Sequence, residues 1–340
     1  MLFRSAIIPR PDPQTSRKAL LKAQENCFSV GLCSVSNAGT EAWELGLMED
    51  LQAEGALSIG IYAMLMPSEE NLERAGRSGP RASERMTVRS FKMFADGALG
   101  SRGAFLMEDY ADDPGNRGLV TLDPAELDRV SSIAYASGFQ MNVHAIGDGA
   151  LRLVLDAYER HLKPGEDRRW RVEHAQVVHP ADLARFRSLG VVPSIQTTHA
   201  TSDMGWTEAR LGRSRMSRSH PYRDLLRTSG WLANGSDFPI EKIDPLRGFR
   251  SAVFRKNDAR EPPSGYRIDQ ALGREEALKA MTIWAARANF EEESRGSLAP
   301  GKHADFTILD ADLLEDPEEM IWDARVLACA VLGSVRHRSL

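Results

Sequence analysis

Short apolar runs alternate with longer stretches of mixed polarity along most of the chain. Seven runs read as strands: GLCSVSNA (31–38), LSIGIYAML (57–65), RSFKMFAD (89–96), FQMNVHAI (139–146), RWRVEHAQ (169–176), GVVPSIQT (190–197) and GWLANGSD (230–237). The segments between them carry helix end signals. PAELDRVSSIAYASG (124–138) follows Asp123 as a candidate N-cap and closes on Gly138, while HPADLARFRSLG (179–190) has Pro180 and Asp182 in its first turn and ends on Gly190. Strands alternating with amphipathic helices predict βαβ units and a parallel sheet. Seven units in succession favour a closed barrel over an open doubly wound sheet, and no Gly-x-Gly-x-x-Gly follows the first strand. Seven is also one short of the eight in a (β/α)8 TIM-like barrel. After about residue 290 the pattern changes, and 296–314 and 324–340 contain β-rich apolar runs split by turn residues. The predicted partition is an N-terminal segment over 1–14, an α/β barrel over 15–290 that is one strand short, and a small C-terminal β appendage over 291–340.

Composition narrows the function classes. A chain of 340 residues can bury a large core, and its net charge of -5 gives no electrostatic footprint for nucleic acid or an anionic membrane. No run of about 18 apolar residues is present, so no membrane span is expected. The opening MLFRSAIIPRPDP breaks at Pro9, Pro11 and Pro13 without a cleavage-type site and reads poorly as a signal peptide. Three cysteines, Cys27, Cys33 and Cys329, odd in number and without CxxC spacing, predict buried thiols in a reducing compartment. A cytoplasmic protein with a small-molecule substrate is the expectation.

In a barrel, reactive side chains gather at the carboxyl ends of the strands. Polar residues at those ends form an ordered series: Lys92 in FKMFADG, His144 in NVHAIGD, His174 in VEHAQ, His199 after SIQTT, and Asp237 in NGSDFP. Imidazole nitrogens and carboxylate oxygens are ligands for zinc and similar ions. Singly, each has a bland reading as a hydrogen-bonded strand histidine or a turn aspartate. Lys92 is the harder to dismiss, because a buried ammonium without a partner is costly. The segment 97–122 is longer than a usual βα loop and is expected to act as a lid, with Tyr110, Arg102 and Arg117 as candidate substrate contacts.

The stretches FKMFADGALGSRGA, HAIGDGA, RVEHAQVVHPADLARF, SIQTTHATSD, NGSDFPIEKIDPL, EEALKAMTIWAAR and GSLAPGKHADFTILD, in this order, resemble the amidohydrolase family 3 branch of the metal-dependent amidohydrolase superfamily. The resemblance spans roughly residues 15–335. It implies a hydrolase acting on carbon–nitrogen bonds other than peptides, by metal-activated water. It implies that Lys92 is carboxylated and bridges metal ions, that His144 and His174 bind the second ion, and that Asp237 binds the first and shuttles a proton. By the same resemblance His199 approaches substrate, although the family's proline before it is Thr198 here.

One departure matters. The His-x-His pair that the family carries on its first strand occurs nowhere in this chain, and the His-Asp ending of its second strand is Ser36-Asn37. The chain therefore reads as a family member without its N-terminal portion, holding one divalent ion, zinc by expectation, where the intact family holds two. Three readings stay open: a one-metal hydrolase using Asp237 as acid and base; a truncated, catalytically impaired remnant; or a barrel-derived binding module that self-associates through an open edge, part of which LFRSAII (2–8) is apolar enough to fill.

Overall fold

The computed structural model describes residues 11–339. Among these residues seven parallel strands, hydrogen-bonded in chain order, form one curled sheet: β1 (Ser34–Thr40), β2 (Gly60–Leu65), β4 (Met86–Phe94), β5 (Gln140–Ala145), β6 (Arg171–His174), β7 (Val192–Ile195) and β8 (Ala233–Asn234). A two-residue strand, β3 (Arg81–Ala82), runs antiparallel to β4. Among the described residues no ladder joins β1 to β8, so the sheet is an open half-barrel, as the missing unit in the sequence predicts. The segment 2–8 lies outside the described residues.

The strand chemistry follows from burial. β2, GIYAML, is covered at every position, as a parallel strand faced by helices on one side and by other strands' side chains on the other must be. All seven expected strands recur, with shifted bounds. β8 keeps only two of the eight residues expected, because Gly230 ends the preceding helix at φ 83° and Asp237 has φ 60°, a conformation no strand admits. The helix Pro124–Ser137 begins and stops where its end signals lie: Asp123 accepts from the Ala125 N–H, Pro124 occupies the first turn, and Gly138 closes it at φ 78°. Asp123→Ala removes that cap and should cost about 1 kcal/mol in a urea titration, with the slope unchanged.

The C-terminal strands β9 (Phe306–Leu309), β10 (Val326–Val331) and β11 (Ser334–Arg338) form a three-stranded antiparallel sheet with β10 in the middle. The helix Pro13–Ser29, which the polarity pattern does not single out, packs on β10 and β11. It leads into Gly31, at φ 81°, where a Cβ would lie 2.5 Å from the Thr307 side chain. Cys33 Sγ then meets Cys329 Sγ at 3.7 Å, and all three cysteines are free thiols. One apolar cluster runs unbroken from the parallel sheet and its helices to Leu313, Ile321, Cys329 and Val331. Among the described residues no helix is long and apolar enough to cross a membrane.

Candidate metal centre

Because the strands are parallel, their carboxyl ends open on the same side, and five successive βα junctions each deliver one of the expected residues. The register sets Phe94 beside His144, and Ala145 beside His174. The two imidazoles meet edge to face with centroids 4.5 Å apart. After β7 the chain turns into the short helix Thr197–Ser202, which places the His199 ring 5.7 Å from that of His174. Asn234, at the end of β8, accepts from the Thr197 N–H at 3.1 Å, and Gly235 donates to the Ile195 carbonyl at 2.9 Å. These bonds hold the loop that brings Asp237 Oδ2 to 3.5 Å from His199 Nε2. His174, His199 and Asp237 thus each offer one ligand atom, all within 4.8 Å of one another. His174 and Asp237 adopt φ of 75° and 60°, a left-handed backbone that costs energy outside glycine and is concentrated at functional sites.

Electrostatics separates the members of the cluster. Burial, with the positive fields of His144, His199 and Lys92, holds the His174 pKa well below its ordinary value, so the ring is neutral. Its Nδ1 is buried without a hydrogen-bond partner. For His199, burial alone would act downward, but hydrogen bonds to Asp237 and Glu241 outweigh it and hold the pKa at about 9. Glu241 receives His199 Nδ1 at 3.3 Å, Ser202 Oγ at 2.6 Å and Arg247 at 3.3 Å. Burial opposes its ionisation, yet the bonds from His199 and Ser202 bring its pKa to about 2. Lys92 is buried with Nζ over the Phe94 ring at 4.3 Å and the Met93 carbonyl at 3.5 Å. Burial pushes its pKa down to about 8, against the pull of Glu173, Asp237 and Asp96. The neutral His174 imidazole with its unpartnered Nδ1, the His144 ring against it and the Asp237 carboxylate within 4.8 Å make a donor set that zinc and similar ions accept, so these residues fit such an ion.

Of the expected substrate contacts, His199 joins this cluster, whereas Tyr110, Arg102 and Arg117 find their partners within the segment 97–122. Tyr110 is buried and donates to the Ala104 carbonyl at 2.7 Å, Arg102 forks onto Asp112 at 3.1 and 3.0 Å, and Arg117 pairs with Asp109 at 2.9 Å. All three are engaged within the segment 97–122 itself. That segment is also pinned from outside: Ala111 N–H donates to the Arg210 carbonyl at 2.8 Å, and Arg215 reaches the Asp109 carbonyl at 2.7 Å. It is a braced wall beside the site, where its length alone suggests a free lid. Two carboxylates, Asp96 and Glu241, escape a reading of the sequence. The only available signal is that each lies four residues beyond a site residue, Lys92 and Asp237.

The sequence profile of the Amidohydrolase family matches residues 1–337. The chain belongs to the amidohydrolase family. Among curated relatives of this amidohydrolase chain, Protein LONG AFTER FAR-RED 3 of Arabidopsis thaliana is 39% identical over 335 residues, covering 93% of this chain and 56% of the plant protein. The N-substituted formamide deformylase of Arthrobacter pascens is 28% identical over 205 residues, covering 59% of this chain and 37% of the enzyme. The chain thus spans little more than half the length of the plant relative and less of the bacterial one. A metal-dependent hydrolase from Pyrococcus horikoshii OT3 superposes with a TM-score of 0.81 at 32% identity, covering 90% of this chain and 62% of that structure.

Proposed function

We propose that this chain hydrolyses carbon–nitrogen bonds of small amide-like molecules at the strand-end cluster, with one divalent ion, zinc first among them, held by His144, His174 and Asp237. The observation that carries this reading is the convergence of His174, His199 and Asp237 within 4.8 Å, with the His144 ring against His174. When bound, such an ion makes water a nucleophile near neutral pH and polarises the scissile carbonyl. The Asp237 side chain is about a third exposed, so its carboxylate reaches the substrate side, where it takes the water's proton and returns it to the leaving nitrogen. His199 lies between Asp237 and Glu241, so both of its nitrogens face carboxylates, which holds it as a cation beside the Asp237 carboxylate. Carboxylation of Lys92 would convert a poorly partnered buried cation into an anion suited to the same ion. The deformylase relative makes N-substituted formamides the first substrates to assay.

Metal content tests the assignment. Protein purified from zinc-supplemented cells should carry about one divalent ion per chain by elemental analysis. His174→Ala should lose it, whereas His199→Asn should keep the ion and lose turnover. A metal-free wild type would sink the reading and favour the impaired remnant. Loss of the ion in His199→Asn would move His199 into the ligand set.

A further inference from the structure

Asp96, two residues beyond β4, has a fully buried side chain that joins three segments of the chain. Its Oδ2 accepts from the backbone N–H of Phe105, inside the segment 97–122, at 2.9 Å, and from that of Gly147 at 2.8 Å. Its Oδ1 accepts from the Ile146 N–H at 3.0 Å and faces His144 Nε2 at 3.3 Å. The last contact is bent short of a full hydrogen bond, and Nε2 has no other partner among the described residues. The backbone at this point is tightly packed: Phe105 O receives the N–H groups of Gly149 and Ala150, and a Cβ on Gly147 would lie 2.0 Å from it.

We propose that Asp96 is a positioning residue that holds His144 in its Nε2–H tautomer and ties that tautomer to the seated position of the segment 97–122. With three N–H groups directed at it, the Asp96 carboxylate serves as an acceptor, so the imidazole nitrogen facing it carries the hydrogen. A neutral imidazole has one N–H, so Nδ1 is left with the free lone pair. Carboxylate partners of this kind set which nitrogen of a histidine is available to a metal. Because one carboxylate receives Phe105 and faces His144, lifting Phe105 removes one of the three backbone bonds that fix its angle to the ring. The coupling is reciprocal by thermodynamic necessity. Asp148 also accepts from the Met107 N–H at 2.9 Å, so the segment has a second anchor, but that one does not touch His144. The tautomer assignment concerns the chain's own hydrogen bonds; only its consequence for ion binding rests on the proposed function.

The test is NMR of nitrogen-15-labelled histidine in the metal-free protein at alkaline pH, with the His144 signals assigned by their loss in His144→Gln. Wild type should show His144 as the Nε2–H tautomer. Asp96→Asn should mix the tautomers and speed amide exchange at Phe105, Ile146 and Gly147 about tenfold or more, as expected for one lost hydrogen bond to a charged group. Gly147→Ala, which forces Phe105 and Gly147 apart while keeping the Asp96 carboxylate, should speed exchange across 97–122 and also blur the tautomer. An Nδ1–H tautomer in wild type overturns the proposal. So does an Asp96→Asn or Gly147→Ala protein with a loosened segment and an intact Nε2–H tautomer. Zinc titration adds a separate arm, with affinity falling about tenfold or more in Asp96→Asn. A wild type that binds no zinc fails the proposed function while leaving the tautomer measurement to decide on Asp96.

Discussion

Asp237→Asn should lower kcat/KM for an N-substituted formamide by about 100-fold or more, the usual span for loss of a positioned general acid–base. Asparagine matches aspartate in shape, and its amide oxygen can still approach an ion, but it does not take a proton from water. The side chain is about a third exposed and lies 3.5 Å from His199, so it is both open to substrate and built into the cluster. Turnover must be expressed per bound ion, because Asp237 is also a proposed ligand. Equal turnover per ion in wild type and variant would remove Asp237 from the proton path and leave the cluster as a binding site.

The largest stability effect expected from a single change lies beneath the site. Trp170 precedes β6, is fully buried, donates from Nε1 to the Phe139 carbonyl at 3.2 Å, and meets the Tyr158 ring edge-on at 4.9 Å. Tyr158 in turn donates to the Arg171 carbonyl at 2.8 Å, so the indole supports the start of the strand that ends in His174. Trp170→Ala leaves a cavity and an unpaired carbonyl, and should cost about 3–5 kcal/mol. Chemical denaturation measures this directly. A loss below about 1 kcal/mol would mean that the surrounding helices collapse into the space, contrary to the dense packing seen here.

The order of elements is legible from the chain because each strand is a short apolar run and each helix between them carries its own end signals, as Asp123 and Gly138 show. The placement of the strand-end residues is legible for the same reason: parallel strands make sequence order into spatial order, so Lys92, His144, His174, His199 and Asp237 stand at consecutive junctions. What escapes is whatever depends on contacts across the fold. Arg102 and Arg117 look free in the sequence, yet each finds an aspartate within its own loop. Nothing local marks Asp96 as the acceptor for three backbone groups, since the donors come from residues 105, 146 and 147. The helix Pro13–Ser29 is equally opaque, because the surface it covers belongs to β10 and β11, near the opposite end of the sequence.

That last contact has a consequence for synthesis. Cys33 and Cys329 touch across a separation of 296 positions. At about 5–20 residues per second, translation needs roughly 15–60 s to make the second after the first. Throughout that interval the helix Pro13–Ser29, which carries the buried Cys27 and Phe28, lacks the strands that pack on it in the finished protein. Contacts this distant in sequence also form slowly once available. Over that interval the nascent chain therefore carries an apolar surface without the strands that cover it, a natural landing place for chaperones that bind during translation.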